Sequence, residues 1–368
     1  MKIRVNKNIL WFVLFFFFVS LLSIYCTISF TSNSLGNLFL KQFIWYIVGF
    51  ITIFIVIKIG NKNIFRYSIF FYLIGNFLLL LLLFFGTSIN NSKCWFILPG
   101  GISIQPSEFM KIFIMLVLSK IIVNFRKEND YSLRNEFKFI IFSFLVVLIP
   151  AILTFLQPDT GSVIIYFVIY FMMLFFSGIS LKWFLYLGFM FIFIIGIFVG
   201  IFFFNESLLI SIFGTSFYYR IERFFMWKNG IGMQLENSLS AIGSSGLFGH
   251  GFNKTPIYFP ESSTDFIFAV YASNFGFVAV CIFLLVLVGF DFYILKLMKE
   301  ISIVENKMIL SGILGMLLFQ QIQNIGMTIG LLPITGITLP FISYGGSSLI
   351  SYMFIIGMVI NIASFRRI

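Results

Sequence analysis

Residues 8–30 read NILWFVLFFFFVSLLSIYCTISF and contain no charged side chain. A run of about 20 apolar residues is long enough to cross the ~30 Å hydrocarbon core of a bilayer as a helix. Because that core has no water to hydrogen-bond with backbone groups, the run is expected to be helical rather than extended. It is too long for a cleavable signal peptide and lacks a small-residue cleavage site. We therefore predict a first membrane helix that remains in the protein.

Similar runs recur along the chain, in which 60% of the 368 residues are hydrophobic and 10% are charged. Their number predicts an all-α, polytopic membrane protein that forms a single membrane domain over residues 1–368. About ten membrane helices are expected, at roughly 8–30, 40–59, 66–86, 106–124, 137–156, 159–178, 182–204, 265–290, 308–331 and 342–364.

Lysine and arginine predict the orientation, because cytoplasmic loops retain these residues. With the N-terminus inside, seventeen of the 24 Lys and Arg residues fall on the cytoplasmic side, six fall outside, and Lys111 lies within a helix. Both termini are therefore predicted to be cytoplasmic, and the expected location is the cytoplasmic membrane. The net charge of +11 then reflects topology and anionic lipid, and it does not imply nucleic-acid binding. Cys26, Cys94 and Cys281 are too scattered to indicate a metal site or a disulfide framework.

The connections predicted to face outward carry nearly all of the Pro, Gly and Gln content between the helices. The inward loops contain little besides charged residues, so the chemistry of the protein is predicted to take place outside. One outer connection, between the seventh and eighth helices, is too long to be a mere turn. The four outer connections are 90–105, 157–159, 204–264 and 332–346.

Two of these connections lead into similar helix starts, QPSE at 105–108 and QPDT at 157–160. Proline is predicted in the first helical turn, where its missing N–H is not needed. Glu108 and Asp159 then lie near the positive end of a helix dipole. Lys111 follows Glu108 by three residues and shares its helix face. Either the two form an internal ion pair that lets the helix end sit in lipid, or they line a polar cavity open to the outer surface. The second interpretation is favoured because a buried intramembrane lysine is costly without a function.

Asp265 ends the polar run PESSTD at 260–265 and precedes an apolar run. An ionised group at the edge of the hydrocarbon is costly to keep there, which makes it a candidate functional residue. The alternative is that Asp265 caps the following helix by accepting hydrogen bonds from its first N–H groups. The spacing of the residues favours neither interpretation.

The long outer segment contains two further patterns. Residues 218–225, YYRIERFF, combine basic and aromatic side chains, which suits an anionic headgroup that carries sugars. Residues 238–251 are rich in Gly and Ser, and exposed N–H groups there would form an anion cradle. A flexible surface loop explains the same composition. His250, the single histidine, is as readily a solvent-facing residue as a catalyst.

Six motifs stand in order along the chain: QPSEFMK at 105–111, QPDTG at 157–161, AIGSSGLFG at 241–249, PESSTDFIFA at 260–269, NIGM at 324–327 and LPFISYGGSS at 339–348. Together they resemble the SEDS family (shape, elongation, division and sporulation), whose members include RodA, FtsW and SpoVE. Ten helices with both termini inside agree with the fold of that family. The short tails and the stretch WFILPG at 95–100 look more like RodA than FtsW.

The resemblance implies a peptidoglycan glycosyltransferase that polymerises lipid II on the outer face of the membrane during cell elongation and cell-shape maintenance. The 4-hydroxyl of one GlcNAc would attack the anomeric carbon of a second lipid II, with inversion, and undecaprenyl pyrophosphate would leave. The essential aspartate of the family falls on Asp265, which would act as the general base. The implied partners are lipid II, membrane lipid and a class B penicillin-binding protein, since nothing in the chain resembles a Ser-x-x-Lys transpeptidase site.

Other residues of the outer connections are expected to bind the substrate. Positive charge for the pyrophosphate would come from Lys93, Arg220, Arg223 or Lys254, or from a divalent cation such as Mg²⁺ or Mn²⁺. No other cofactor is expected. The remaining candidates are Trp95, Gln105, Ser107, Glu108, Lys111, Asp159, Gln234, Glu261, Thr264, Ser343, Tyr344 and Ser347.

Three positions depart from the family pattern: Cys94 replaces an arginine, Asn237 a glutamine, and Ser273-Asn274 a glutamate pair. Lys93 would replace the missing arginine only as a point charge. A flippase for lipid-linked precursors, a role in division or spore cortex like that of FtsW or SpoVE, and a non-catalytic scaffold are the alternatives. Polar residues concentrate at the outer helix ends rather than near the midplane, which favours surface chemistry over transport.

Overall fold

The computed structural model describes residues 7–28, 36–89, 92–98, 102–127, 132–215, 218 and 232–364. Each of the ten predicted membrane segments coincides with a helix. The helices are α1 (Lys7–Cys26), α2 (Gly36–Ile59), α3 (Asn61–Arg66), α4 (Ser68–Phe85), α5 (Pro106–Lys127), α6 (Leu133–Phe155), α7 (Thr160–Phe176), α8 (Lys182–Phe204), α9 (Glu206–Phe213), α10 (Met233–Gly243), α11 (Ile267–Glu300), α12 (Val304–Thr328) and α13 (Gly346–Ser364).

The length and apolar composition of these helices make the chain a multi-pass membrane protein. Within the described residues, seven helices are long and apolar enough to cross a membrane: α1, the Leu38–Ile59 part of α2, α4, α6, α11, α12 and α13. The apolar helix α7 has 17 residues, and α5 carries Glu108 in its first turn and two basic residues in its last. The total of ten spans and the cytoplasmic position of both termini stay predictions.

The outer connection predicted at 90–105 contains β-structure. Strands β1 (Thr87–Ile89), β2 (Ser92–Leu98) and β3 (Ile102–Ile104) form an antiparallel sheet in the order β1-β2-β3, with Ile97 opposite Ser103. The expectation that strands are excluded holds for the membrane segments, where an open sheet edge would leave backbone groups unpaired in lipid. This short sheet lies between two such segments.

Helices α5, α7, α12 and α13 form the centre of the bundle. Helix α7 packs against α5, α6 and α12, and α13 packs against α2 and α5. In the most apolar 18-residue stretch of each helix, 78% of α12 and 83% of α13 is buried, against 28% of α4. The peripheral helices instead expose large side chains such as Phe77 and Phe84. Because lipid is as apolar as these side chains, outward-facing Phe and Ile carry no hydrophobic penalty there.

Helix α11 is broken near its start, at Gly276, where φ is 75° and ψ is −176°. The turn after α10 packs into this break, so that the N–H groups of Phe277 and Val278 donate to the carbonyl oxygens of Gly246 and Leu247, both at 3.1 Å. A Cβ atom at Gly276 would lie 2.2 Å from the backbone of the turn. Glycine is therefore required at the crossing, both for its positive φ and for the close approach of the two backbones.

The same turn decides what the Gly- and Ser-rich segment 238–251 does. The N–H groups of His250 and Gly251 donate to the carbonyl oxygens of Ser273 and Asn274 at 3.0 and 3.1 Å, and the N–H of Gly249 donates to Ser245. These N–H groups are not available to an anion. The segment instead supports the broken helix through these hydrogen bonds. It is therefore neither an anion cradle nor a flexible surface loop.

Candidate active site

The four connections predicted to face outward meet around one cavity of about 510 Å³ at one end of the bundle. The cavity is lined by the start of α5, the start of α7, the segment before α11 and the segment before α13. Nine of the predicted site residues line it: Trp95, Gln105, Glu108, Asp159, Glu261, Thr264, Asp265, Tyr344 and Ser347.

The other predicted site residues lie elsewhere. Ser107, Lys111 and Ser343 are buried directly behind the cavity wall. Lys93 and Lys254 are exposed and Gln234 is half-buried, and none of these three lines the cavity. Arg220 and Arg223 lie outside the described residues.

Asp159 joins the starts of α5 and α7. Its carboxylate caps α7 by accepting the N–H of Ser162 at 3.0 Å, and it also accepts the Ser162 hydroxyl at 2.7 Å. From α5 it accepts the amide of Gln105 at 2.9 Å and the hydroxyl of Ser107 at 3.0 Å. Pro106 begins α5 as predicted. Pro158 does not begin α7, because Asp159 takes the position before its first residue, Thr160. Four accepted hydrogen bonds hold this carboxylate in place.

Glu108 and Lys111 form a buried ion pair, with Lys111 Nζ 2.6 Å from Glu108 Oε2. Lys111 is fully buried, and its ammonium also lies 5.4 Å from the centre of the Tyr352 ring, which favours a cation. Glu108 lines the cavity and Lys111 does not. The predicted ion pair is therefore present, but only its carboxylate faces the cavity, and the lysine neutralises that charge from behind.

Asp265 also lines this cavity, half-buried and two residues before α11. The residue before α11, Phe266, makes no side-chain capping bond, and no described residue donates a hydrogen bond to the Asp265 carboxylate. The interpretation of Asp265 as a helix cap is therefore wrong.

The backbone around Asp265 is fixed by two neighbours. The amide of Asn324, on α12, donates to the carbonyl oxygens of Asp265 at 2.8 Å and Ile337 at 2.7 Å. The Ser343 hydroxyl donates to the carbonyl of Thr264 at 2.6 Å. Ser343 thus supports the site from behind. A carboxylate on a backbone held in this way has a defined position in the cavity.

The pKa of Asp265 is raised to about 7, first by burial and then by the negative charge of nearby Glu261. Both effects disfavour the ionised form. Glu261 itself accepts the Thr264 hydroxyl at 2.7 Å. A carboxyl group with a pKa near neutral pH is well matched to accept and release a proton.

The charged side chains of the described residues that line the cavity are all acidic. Four carboxylates line it, those of Glu108, Asp159, Glu261 and Asp265, whereas no Lys, Arg or His side chain of the described residues does. Among the described ranges, no three His, Cys, Asp or Glu side chains are placed to hold one metal ion. The described residues therefore do not form a three-ligand protein site for Mg²⁺ or Mn²⁺.

Several lining residues were not among the predicted ones. Gln320, Thr335, Gly336, Thr338 and Ser348 also face the cavity. Asn324, which positions Asp265, lies in the NIGM motif. That motif was the signal in the sequence that could have identified it. Ser348 belongs to the LPFISYGGSS motif. Gln320, Thr335, Gly336 and Thr338 lie outside the six motifs, and only the packing of α12 and the segment before α13 brings them to the cavity.

The three departures from the family pattern are all satisfied locally. The Cys94 thiol lies 3.0 Å from the Gln157 carbonyl, and the Asn237 amide donates to the Tyr258 carbonyl at 2.7 Å. Asn274 donates to Thr255 Oγ1 and accepts from the N–H of Lys254. These neutral side chains therefore make local structural contacts at their positions.

Comparison with known proteins shows one family over nearly the whole chain. Residues 6–368 match the FtsW/RodA/SpoVE family model, described as cell cycle protein. The chain is 32% identical to stage V sporulation protein E of Bacillus subtilis, over 89% of this chain and 87% of that protein. It is 31% identical to a probable peptidoglycan glycosyltransferase FtsW of Haemophilus influenzae, over 89% of this chain and 81% of that protein. The chain belongs to the FtsW/RodA/SpoVE family, the SEDS family that its motifs resemble.

Solved structures show the same fold. A chain of a peptidoglycan synthase complex, described as coordinating polymerisation and crosslinking, superposes with a TM-score of 0.78 at 23% identity, covering 99% of this chain and 98% of that one. Thermus thermophilus rod shape determining protein RodA superposes with a TM-score of 0.71, also at 23% identity, over 99% and 98% of the two chains.

Proposed function

We propose that this SEDS protein is a peptidoglycan glycosyltransferase that polymerises lipid II at the outer face of the cell membrane, with Asp265 as the general base. The observation that carries the proposal is a carboxylate that faces a polar cavity, accepts no hydrogen bond from a described residue and has a pKa of about 7. Relatives named as peptidoglycan glycosyltransferases support the reaction class.

In the proposed reaction the 4-hydroxyl oxygen of one GlcNAc attacks the anomeric carbon of a second lipid II. A bond forms between that oxygen and the anomeric carbon, while the bond from the anomeric carbon to the pyrophosphate oxygen breaks, with inversion. Asp265 takes the hydroxyl proton, which makes a weak nucleophile competent. With a pKa near 7, a large fraction of Asp265 is ionised at neutral pH and ready to accept the proton.

The leaving pyrophosphate is the group for which the cavity lining is least suited. Its negative charge would meet four carboxylates, among them Glu108, whose charge Lys111 neutralises from behind. We propose that the pyrophosphate lies outside this cavity, where the exposed side chains of Lys93 and Lys254 would supply positive charge. The cavity itself would receive the uncharged sugars, while the polyprenyl tail stays in the bilayer.

Elongation and cell-shape maintenance are the proposed setting of this reaction. The WFILPG stretch at 95–100 supports a RodA-type role. Division and spore cortex are the roles to be tested against it. Complementation distinguishes them: the gene should restore rod shape to cells depleted of RodA and should not restore septation to cells depleted of FtsW. Rescue of septation alone would reassign the role.

A class B penicillin-binding protein is the proposed partner, because a polymerase without a transpeptidase leaves its strands uncrosslinked. The superposable structure described as a complex of polymerisation and crosslinking supports a two-protein arrangement. Binding of the partner would favour a conformer in which the cavity around Asp265 is open.

The test is a polymerisation assay with purified protein and labelled lipid II, alone and with each class B penicillin-binding protein of the same cell. We expect glycan polymer, and a higher rate with one of the partners. Movement of lipid II between leaflets without polymer formation would support the flippase instead. If the protein alone is fully active and no partner changes its rate, it is a polymerase but the proposed partner is wrong.

A further inference from the structure

Two uncharged groups in the cavity wall have polar atoms that make no hydrogen bond with any described residue. They are the amide oxygen Oε1 of Gln320 and the hydroxyl Oγ1 of Thr335. Nine buried side-chain atoms in the described part of the chain lack such a bond, and these two belong to residues that line the cavity. Because a buried polar atom without a partner is costly, two of them in residues that line one cavity indicate a ligand that supplies the missing bonds.

The Gln320 amide is held in a fixed orientation. Its nitrogen donates to the Tyr352 hydroxyl at 2.8 Å, and Tyr352 is itself buried beside Lys111. Gln320 is only 1% exposed. Since the nitrogen is used by the protein, the oxygen on the other side of the amide remains as an acceptor.

We propose that Gln320 and Thr335 form a subsite for an acetamido group of a substrate sugar, an inference that rests on the proposed function. An acetamido group carries one N–H donor and one carbonyl acceptor. The N–H would donate to Gln320 Oε1, and the carbonyl would accept from the Thr335 hydroxyl, so that each unpartnered atom gains one hydrogen bond. A carboxylate ligand would match the hydroxyl but would meet the amide oxygen and the four lining carboxylates with repulsion.

The subsite also accounts for why neutral residues stand in a cavity whose charged residues are all acidic. An amide and a hydroxyl recognise a neutral group without adding charge beside Asp265. A site built to hydrogen-bond one substrate group strongly disfavours the analogue that lacks it, because its own polar atoms then stay unpaired. Gln320 and Thr335 would therefore select N-acetylated sugars, while Asp265 carries out the proton transfer.

The test combines variants with substrate analogues. Thr335→Val and Gln320→Met remove the polar atoms at similar volume, and Thr335→Ser keeps the hydroxyl. Each protein is assayed with lipid II and with two analogues, in which hydrogen replaces the acetamido group of one or the other sugar. We expect the wild type to use one analogue with a kcat/KM about tenfold lower, mainly through KM, as the loss of one or two hydrogen bonds predicts. Thr335→Val and Gln320→Met should use lipid II and that analogue almost equally, and Thr335→Ser should restore the preference.

Two variants away from the cavity serve as matched controls. Asn76→Leu removes another buried amide with an unpartnered oxygen, and Thr52→Val removes a hydroxyl that bonds only within α2. Both should keep the wild-type preference. If Thr335→Val and Gln320→Met lose rate but discriminate as the wild type does, the two residues are structural and the subsite is refuted while the polymerase stands. If the wild type makes no polymer from lipid II, the proposed function fails and this inference fails with it.

Discussion

Asp159 and Asp265 line one cavity, and their surroundings give them different properties. Asp159 accepts four hydrogen bonds from Gln105, Ser107 and Ser162 and thereby links α5 to α7. Asp265 accepts none from a described residue, and burial raises its pKa to about 7. A carboxylate that accepts several hydrogen bonds is held in place by them, whereas one without donors keeps its lone pairs for a substrate proton. The comparison indicates that hydrogen bonding, more than position in the cavity, separates the aspartate that links two helices from the aspartate proposed as the general base.

The largest effect is expected at Asp265. Asp265→Asn should lower the rate of glycan polymerisation by about 10²–10⁴-fold, because the amide cannot accept the proton. The melting temperature and the helix content by circular dichroism should stay near wild type, since no described residue donates to this side chain. Polymer yield near that of the wild type would show that Asp265 is not the base, and the contrast with Asp159 would no longer hold.

A large loss of stability is expected when the buried ion pair is broken. Lys111→Met leaves the Glu108 carboxylate without its cation, and Glu108→Gln leaves the fully buried ammonium unpaired. Each change should cost about 3–5 kcal/mol. The double variant should be more stable than the sum of the two losses predicts, by a coupling of about 0.5–3 kcal/mol. Thermal or denaturant unfolding in detergent measures all four proteins, and strictly additive losses would mean that the pair contributes nothing.

Asp159 should respond in the opposite way to Asp265. Asp159→Ala removes the cap of α7 and its links to α5, so we expect a loss of stability of about 1–3 kcal/mol. Asp159→Asn keeps an oxygen acceptor and should recover part of that stability. Any fall in polymerisation rate should follow the folded fraction. A variant that is fully folded but as inactive as Asp265→Asn would assign Asp159 a chemical role and end the distinction.

The smallest effect concerns pH. Since the pKa of Asp265 lies near 7, the base form is lost as the pH falls through 7, and the rate should fall with it. Glu261 contributes to the raised pKa through its negative charge, so Glu261→Gln should lower it and move the acid limb of the kcat/KM profile to lower pH. Thr264→Val, which removes the hydroxyl donor to Glu261, is the control that keeps both charges. An acid limb that stays in place in Glu261→Gln would exclude this electrostatic contribution.

Helix positions and the functional end of the molecule were predictable because they depend on local properties. Apolar runs of membrane length specify helices whatever they pack against, and the ten predicted segments all coincide with helices. The four polar connections were recognisable by composition, and they do meet around one cavity. The sheet at Thr87–Ile104 was not predicted, because short strands in a connection leave little periodic signal.

The sequence by itself predicts the family, the membrane class and Asp265 as the candidate base. These predictions depend on hydropathy, charge bias and motif spacing, which are all properties of the order of residues along the chain. The tertiary structure alone decides which of the polar residues face one another. It places Lys111 behind Glu108, satisfies Asp159 with donors from two helices, and leaves Asp265, Gln320 and Thr335 with free acceptor or donor atoms among the described residues. Hydrogen bonding and burial depend on contacts between residues that are far apart in sequence, such as Gln105 with Asp159 or Asn324 with Asp265. No pattern within one segment contains those contacts, and they arise only when the helices pack.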